Sequence, residues 1–326
     1  MSHLSKQENS PHPSSEAPPP LVSMVIVCYN QKDGVGKAIQ AALAQTYSPL
    51  EIILSDDYST DNTFEEFEKF TKNYKGPHRI ITNRNKTNLG TAAHLGNAVS
   101  RAQGKFIVVA AGDDCSSPDR VQHLTNQWLN SNQQSKIILS DELLINSDGS
   151  TSPSKIAPPP PSDTPLMDMI NRQKSNPRLS ITGAVAAYDI SLFKNFAPFI
   201  KGVINEDRAL LFRCYLLKGN IEYIDKPLVL RHTAARARQI NQINKLRWKT
   251  KISEQMWLDL KETPNTPDKE NLLKTGETKL IKYKIRLSLA EKKISFRKCA
   301  YLCQGTPRLW PWALITWFTH QISSKS

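Results

Sequence analysis

Apolar positions in the first half of the chain form short continuous runs that are separated by helically spaced stretches. The runs at residues 22–28, 51–54, 79–81, 105–110 and 137–139 have the length and the β-branched content of buried strands. The stretches between them have the 3.6-residue spacing of amphipathic helices. Because strands and helices alternate, the pattern predicts an α/β fold with a mostly parallel sheet flanked by helices.

Four helices are predicted between these strands. They cover residues 36–43, a stretch through Phe64, Phe67 and Phe70, residues 91–102, and a stretch from Pro118 to Leu129. Asp61 is a favoured residue type for the cap of the second helix, and Pro118 suits the first turn of the fourth. The expected order is therefore strand, helix, strand over most of residues 21–140.

The second half of the chain has a less regular pattern. Residues 146–165 include four consecutive prolines, Pro158 to Pro161, which predict a surface loop of polyproline type. An apolar stretch at residues 181–188 follows, and Asn205 is the expected cap of a helix that ends before Gly219. Short strands are predicted at residues 221–224 and 228–230.

The two ends of the chain differ from this middle part in composition. Residues 1–20 are rich in Ser and Pro and are predicted to be disordered. Residues 234–326 have helical periodicity and many Lys and Arg residues, and they are predicted to form a basic helical region. Residues 21–233 between them are predicted to form the α/β domain.

Charge and cysteine usage narrow the partners and the compartment. The chain has 326 residues, with 43 Lys and Arg against 30 Asp and Glu, and a net charge of +13. Such an excess favours nucleic acid, phosphate-bearing ligands or an anionic membrane, although most of these charges are expected on solvated helix faces. The five cysteines include no CxxC pair, which predicts reduced thiols and a cytoplasmic protein. Residues 309–318 contain Trp310, Trp312 and Trp317 and predict either a packed terminal helix or a contact with the membrane interface.

Acidic pairs follow predicted strands or capping positions at three places: Asp56-Asp57, Asp113-Asp114 and Glu206-Asp207. The carboxyl ends of parallel strands meet at one edge of a sheet, so the first two pairs should lie close together. Converging carboxylates are costly unless a cation or hydrogen-bond donors offset them. Mg²⁺ takes one or two carboxylates and completes its shell with phosphate and water, so a divalent cation with a diphosphate is expected here. The alternative is that each pair only caps a helix or a turn.

Several other classes of enzyme lose support from motifs that the sequence lacks. Residues 34–37 do not have the spacing of a P-loop, and no G-x-G-x-x-G follows the first predicted strand. G-x-S-x-G and H-E-x-x-H are also absent, which argues against the corresponding hydrolases and metalloproteases. A nucleic-acid-binding module would leave the ordered acidic pairs unexplained, so no nucleic acid partner is expected.

An ordered set of segments resembles family 2 glycosyltransferases of the GT-A fold, a Rossmann-like fold of nucleotide-diphospho-sugar transferases. The segments are residues 22–30, 45–47, 51–61, 88–90, 104–106 leading to 112–114, the pair at 206–207, and residues 223–232. Each motif alone is weak, but their order and spacing agree over residues 21–232. The resemblance implies an inverting glycosyltransferase with a nucleotide-diphosphate sugar donor. Residues 21–145 would form its donor half and residues 146–233 its acceptor half.

The resemblance also implies roles for individual residues. Asp57 would accept a hydrogen bond from the nucleotide base, and Tyr29 and Asn30 would line the same pocket. Asp113 and Asp114 would contact the ribose and a Mg²⁺ or Mn²⁺ ion that bridges the diphosphate.

At the other side of the expected site, Asp207 would act as the general base on the acceptor hydroxyl, with Glu206 beside it. Arg231 or His232 would face the diphosphate or the metal, although a lone His is more often structural. Glycosyltransferases of this kind commonly build bacterial surface polysaccharides at the inner face of the cytoplasmic membrane. A saccharide or lipid-linked acceptor and a peripheral membrane contact are therefore expected.

One position departs from the family pattern. Many members have a further Asp two residues before the position of Asp113, and this chain has Ala111 there. The departure leaves two alternatives open beside an active transferase. One is a catalytically degenerate protein that binds nucleotide sugars, and the other is a nucleotidyltransferase, which would release pyrophosphate from a nucleoside triphosphate.

Overall fold

The computed structural model describes residues 18–146, 148–156, 165–171, 181–232, 241–291, 300–304 and 306–323. Most of the predicted disordered tail at residues 1–20 and all of the proline run from Pro158 to Pro161 lie outside the described residues. The predictions for those two segments are therefore not addressed by the structure.

A single mixed sheet forms the centre of the described protein. Its strands are β1 (Val22–Cys28), β2 (Leu50–Asp56), β3 (Arg79–Arg84), β4 (Phe106–Ala111), β5 (Cys115–Ser116), β6 (Ser135–Ile145), β7 (Thr151–Ser154), β8 (Ala186–Asp189) and β9 (Asn220–His232). The strand order is β3-β2-β1-β4-β8-β6-β9-β5, with β7 paired to β6. Strands β1 to β4 are mutually parallel, β6 is parallel to β9, and β8 is antiparallel to both of its neighbours. The predicted mostly parallel α/β sheet is confirmed.

Helices cover both faces of this sheet and continue beyond it. They are α1 (Lys32–Leu43), α2 (Thr63–Thr71), α3 (Thr91–Val99), α4 (Arg120–Asn130), α5 (Leu166–Asn171), α6 (Ser191–Lys194), α7 (Glu206–Leu216), α8 (Gln242–Glu262), α9 (Lys269–Ala290) and α10 (Trp310–Ser323). In the described part of the chain, no helix is both long enough and apolar enough to span a bilayer.

Two predictions about the strands were wrong, and strand pairing is the reason in both. The segments predicted at residues 221–224 and 228–230 form one strand, β9, because its pairing with β6 continues past Pro227 through register shifts. The segment 146–165 was predicted as a loop, but it contains β7, which pairs antiparallel with β6. Local sequence signals do not report a partner strand that lies elsewhere in the chain.

Several helix ends also differ from the prediction. Helix α1 begins at Lys32 rather than at residue 36, and α4 begins at Arg120, so Pro118 precedes the helix instead of lying in its first turn. Helix α2 begins at Thr63 and is preceded by Asn62, so Asp61 does not occupy the cap position; its carboxylate accepts a hydrogen bond from the Thr63 N–H at 3.0 Å. That contact is an Asx-turn just before the helix. Helix α3 ends at Val99 rather than at residue 102.

Alternating side chains of the central strands build a core on each face of the sheet. On β1, Val25 packs with the cluster that contains α3 and α7, whereas Met24 and Ile26 pack with the cluster that contains α1 and α4. This is the two-residue period of a strand that is buried on both faces. Because β1 pairs in parallel with both β2 and β4, these three strands end at the same edge of the sheet.

Helix α8 is joined to the domain core by a buried ion pair. Nε of Arg213 on α7 donates to Asp259 Oδ2 at 2.9 Å, and its Nη2 donates to Oδ1 at 3.0 Å. The two side chains are only 1% and 0% exposed. Ile252 and Met256 of α8 belong to the same apolar cluster as the sheet residues. The helix is therefore packed into the domain rather than attached to its surface.

We predict that Asp259→Ala strongly destabilises the protein. The substitution leaves Arg213 buried without its carboxylate, which costs about 3–5 kcal/mol. Denaturant unfolding monitored by circular dichroism measures the change. Asp225→Ala is the matched control because the Lys155–Asp225 pair is 72% and 68% exposed, so its loss should cost less than about 1 kcal/mol. Equal losses in the two variants would contradict the prediction.

Candidate functional site

A cleft of about 520 Å³ lies at the carboxyl ends of β1 and β4. Its walls come from both halves of the described domain: Val27, Thr91, Val109, Ala110, Ala111, Ile181, Thr182, Gly183, Ala184, Glu206, Asp207 and Arg231. The structure thus brings three predicted site residues together with Ala111. A separate apolar cavity of about 350 Å³, between α3 and residues 190–199, contains none of the predicted site residues.

Glu206 and Asp207 form the first turn of α7, where the helix dipole favours negative charge. Asp207 Oδ1 accepts a hydrogen bond from the Arg208 N–H at 2.6 Å. Burial raises the pKa of both carboxyl groups, and the charge of Asp207 raises the pKa of Glu206 further. A pair of this kind holds a proton at a pH where exposed carboxyl groups are ionised, which suits a group that exchanges protons with a substrate.

The turn at Gly183 approaches this pair closely. A Cβ atom at Gly183 would lie 3.0 Å from Glu206 Oε1 and 3.6 Å from Asp207 Cβ. Behind the turn, Tyr188 on β8 is fully buried, and its hydroxyl has no hydrogen-bond partner among the described residues. Burial raises the pKa of Tyr188, and the neighbouring Asp207 and Glu206 raise it further, so the hydroxyl stays neutral.

Asp114 lies beside Arg231 at the wall of the cleft. Arg231 Nε is 3.4 Å from Asp114 Oδ2, and Arg231 Nη1 donates to Glu142 Oε2 at 2.6 Å. Burial raises the pKa of Asp114 to about 7; Arg231 opposes this shift, and Asp113 adds to it. The guanidinium therefore compensates only part of the negative charge around it.

The sequence analysis missed two buried residues in this region. Glu142 is a fully buried acid on β6, and an acidic residue within an apolar strand was the available signal. Arg120 is also fully buried; its Nη1 donates to Ser116 Oγ at 2.9 Å, and its Nη2 donates to the carbonyls of Val109 and Ala184 at 2.9 and 2.8 Å. Burial lowers the pKa of Arg120 to about 10, and the nearby Asp114 opposes the shift. Arg120 thus ties the end of β4 to the turn that faces Glu206.

The residues expected to form the base pocket have unequal access to a ligand. Asp57 is 2% exposed and accepts three hydrogen bonds, from Asn85 Nδ2 at 2.8 Å and from the N–H groups of Leu89 and Gly90 at 2.8 and 2.9 Å. It therefore fixes the loop that precedes α3. Tyr29, in contrast, is 47% exposed.

Asn30 is used within the fold at the turn after β1. It has a φ of 52°, in the left-handed region that Asn tolerates. Its Oδ1 accepts a hydrogen bond from the Thr60 N–H at 2.8 Å. Tyr29 and Asn30 are both exposed, whereas Asp57 is buried.

The predicted metal ligands are only partly brought together. Asp113 and Asp114 are adjacent after β4, but His232 is exposed at the end of β9 and follows Arg231, so strand alternation directs it to the opposite face. Within the described ranges, no three or more His, Cys, Asp or Glu side chains are grouped to hold a metal ion. The two aspartates still suit Mg²⁺ or Mn²⁺, because such an ion needs few carboxylates when phosphate supplies other ligands.

Comparison with known proteins confirms the family resemblance in the first half of the chain. Residues 23–152 match the family described as glycosyl transferase family 2. Over 103 residues, the chain is 36% identical to a putative glycosyltransferase, EpsE, of Bacillus subtilis (strain 168). This match covers 32% of this chain and 36% of that protein. Over 94 residues, it is 37% identical to the Escherichia coli enzyme UDP-Glc:alpha-D-GlcNAc-diphosphoundecaprenol beta-1,3-glucosyltransferase WfaP. This match covers 29% of this chain and 36% of that enzyme. The matched segment thus spans about a third of each relative's length.

Solved structures confirm the GT-A fold. The chain superposes on S. aureus TarS 1-349 in complex with UDP-GlcNAc with a TM-score of 0.54 and 16% sequence identity, covering 82% of this chain and 72% of that one. It also superposes on the mannosyltransferase PcManGT from Pyrobaculum calidifontis in complex with GDP-Man and Mn²⁺, with a TM-score of 0.50, 16% identity, and 96% and 86% covered. At this identity the likeness concerns the fold alone.

We predict that Asp207→Asn stabilises the protein increasingly as the pH rises. A carboxyl group whose pKa is raised by folding binds more protons in the folded state, so it costs stability once the pH exceeds its unfolded pKa of about 4. Removing this carboxyl group should therefore have little effect at acidic pH. Urea unfolding at about pH 4 and about pH 8 should show a relative gain on the order of 1–2 kcal/mol at the higher pH. The exposed control Asp225→Asn should show no such trend, and a pH-independent difference for Asp207→Asn would contradict the account.

Proposed function

We propose that this chain, whose residues 23–152 match glycosyl transferase family 2, is an inverting glycosyltransferase. It would transfer a sugar from a nucleotide-diphosphate sugar to a hydroxyl acceptor in the synthesis of a surface polysaccharide or glycoconjugate. The observation that supports this most is the cleft in which Glu206 and Asp207 face Arg231 at the carboxyl ends of β1 and β4. The names of EpsE and WfaP, and the nucleotide sugars bound to TarS and PcManGT, favour the same class of reaction.

Asp207 is the proposed general base. Its carboxylate takes the proton of the acceptor hydroxyl while that oxygen attacks the anomeric carbon and the bond from that carbon to phosphate oxygen breaks. The bonding electrons leave with the nucleoside diphosphate, and a single displacement inverts the anomeric carbon. Glu206 lies beside Asp207, and the raised pKa of both groups makes this base stronger than an exposed carboxylate.

Arg231, which lines the cleft, and the residues after β1, β2 and β4 are proposed to bind the donor. Arg231 contacts the diphosphate, and Asp113 and Asp114 hold a divalent cation that enters with it. When bound, Mg²⁺ or Mn²⁺ supplies Lewis-acid stabilisation to the departing diphosphate. The ring of Tyr29 packs against the base beside Asn30. Asp57 already accepts three hydrogen bonds, and a carboxylate has about four acceptor positions, so one base N–H can still be accepted.

Residues 21–145 are proposed as the donor half and residues 146–233 as the acceptor half, with the helices of residues 234–326 supporting them. We further propose that α9 and α10 contact an anionic membrane surface. Lys282 Nζ and Arg286 Cζ lie 5.5 and 5.6 Å from the centre of the Trp312 ring. Tyr301 and Ile315 nearby in the chain are 74% and 63% exposed. Basic and aromatic side chains together suit an anionic interface, and this location would bring the cleft to a lipid-linked saccharide acceptor.

Donor binding tests the proposed function most directly. Calorimetric titration with UDP, GDP and dTDP, each with Mn²⁺ and with EDTA, should show binding of one diphosphate that weakens without metal. Asp114→Asn should reduce that affinity at least about tenfold, because it removes charge from the cation site. Asp119→Asn is the control, since Asp119 pairs with Lys226 outside the cleft at 2.6 Å. A nucleotide affinity that is unchanged by EDTA and by Asp114→Asn would contradict the proposed metal-assisted site.

Vesicle sedimentation tests the proposed membrane contact. The wild-type protein should bind vesicles that contain phosphatidylserine and should not bind pure phosphatidylcholine vesicles. Each cation near such a surface contributes about 1 kcal/mol, so Lys282→Gln with Arg286→Gln should weaken binding more than about tenfold. Lys155→Gln, which removes an exposed charge on the sheet domain, is the control and should cause no comparable loss. Equal binding to both vesicle types would contradict the contact.

A further inference from the structure

Arg231 is held at the cleft wall by a carboxylate that has no role in the proposed reaction. Its Nη1 donates to Glu142 Oε2 at 2.6 Å, and the Glu142 side chain is fully buried. The other carboxylate oxygen, Oε1, accepts a hydrogen bond from Ser154 Oγ at 3.2 Å. A buried carboxylate is costly unless it is paired and hydrogen-bonded, so Glu142 and Arg231 fix each other's positions.

An irregularity in the sheet makes this contact geometrically feasible. Between Ser140 and Glu142 the pairing advances by two residues on β6, but the partner on β9 changes from Ile224 to Val229, an advance of five. The two advances differ by three residues. Because side chains alternate between the faces of a sheet, this odd difference turns the following β9 side chains to the face opposite to the one that regular pairing would give them. Glu142 is paired with Val229, so Arg231, two residues further along β9, lies on the same face and within diagonal reach.

Arg231 also lies close to Asp114. Arg231 Nε is 3.4 Å from Asp114 Oδ2 and has no hydrogen-bond partner in the described part of the chain. An arginine near a carboxylate favours a bidentate pair in which both of its parallel N–H groups bind that carboxylate. Such a pair would cover the oxygens of Asp114. In the structure Nη1 is instead directed to Glu142, and the approach of Nε to Asp114 does not form a hydrogen bond.

We propose that Glu142 is a positioning residue for diphosphate binding. It does not touch the ligand; it holds the guanidinium of Arg231 at the cleft wall. The inference rests on the proposed function, since the ligand is the diphosphate of the proposed donor. It adds that phosphate affinity in this cleft depends on a buried negative charge.

The test measures the affinity for inorganic pyrophosphate, and for whichever of UDP, GDP and dTDP the wild-type protein binds, by calorimetry with Mn²⁺. The variants are Glu142→Gln, Arg231→Gln and the double substitution. Glu142→Gln keeps an acceptor for Arg231 but removes the charge. It should weaken the binding of both ligands about tenfold, which corresponds to 1.4 kcal/mol of binding free energy. In the Arg231→Gln background the same change should cause no further loss, because the two residues act as one unit.

Thermal unfolding separates positioning from a merely structural role. Arg231→Gln removes the ion pair that Arg231 makes with the buried Glu142 and should lower Tm, and the double substitution should recover Tm but not ligand affinity. Glu222→Gln is the matched control on β9, since Glu222 accepts hydrogen bonds from Gln127 and Ser135 and should leave both ligand affinities unchanged. If Glu142→Gln does not fold, Ser154→Ala replaces it and should weaken binding in the same direction by a smaller factor.

Two results would overturn the inference while leaving the proposed function standing. One is wild-type ligand affinity in folded Glu142→Gln together with a clear loss in Arg231→Gln. The other is full additivity of the two losses in the double substitution, which would show that Glu142 does not act through Arg231. If the wild-type protein binds neither pyrophosphate nor any of the three nucleotides, the proposed function and the inference both fail.

Discussion

Negative charge at one edge of the sheet is the constraint on which the rest of the site depends. Five carboxyl groups contribute to it in two sets: Asp113, Asp114 and Glu142 lie around Arg231, and Glu206 lies beside Asp207 in the cleft. Two buried or half-buried arginines, Arg120 and Arg231, offset part of this charge. The remaining imbalance is expressed as raised carboxyl pKa values at Asp114 and at the pair in α7. In the proposed reaction, a phosphate-bound cation at Asp113 and Asp114 and a proton at Asp207 would each reduce this negative charge.

The fold produces this convergence through strand direction and register. Parallel β1 and β4 end at the cleft, and the turn at Gly183–Val185, just before antiparallel β8, reaches the start of α7. Arg120 ties that turn to β4 through the carbonyls of Val109 and Ala184. The odd register shift between β6 and β9 then brings Arg231 to Glu142. Each contact joins segments that are distant in sequence, so the site is a product of the complete sheet.

This dependence explains what the sequence could predict and what it could not. The strands β1, β2 and β4 were predicted because their apolar runs are local signals, and the match of residues 23–152 to a known family confirms the resemblance found there. The antiparallel direction of β8 and the continuity of β9 depend on partner strands, so no local pattern reported them. Glu142 and Arg120 were missed for the same reason, since a charged residue in a buried element is interpretable only with its partner.

The predicted role of Asp57 shows a different limit. The sequence pattern placed it correctly at the end of β2, but the structure shows a carboxylate that already holds the loop before α3 through three hydrogen bonds. A spacing motif identifies a position and not the number of its partners. Ala111, in contrast, lies in the cleft wall, so the departure from the family pattern falls within the proposed site itself.

The measurement that tests the central claim most directly is the identity of the nucleotide released during turnover. Wild-type protein and Asp207→Asn would be incubated with UDP-, GDP- and dTDP-sugars, and separately with nucleoside triphosphates and sugar phosphates, with Mn²⁺ and a membrane extract as acceptor source. The account predicts release of one nucleoside diphosphate by the wild-type protein and a loss of rate of about 10²–10⁴ in Asp207→Asn at undiminished donor binding. Release of pyrophosphate from a nucleoside triphosphate, or equal rates in the two proteins, would contradict it.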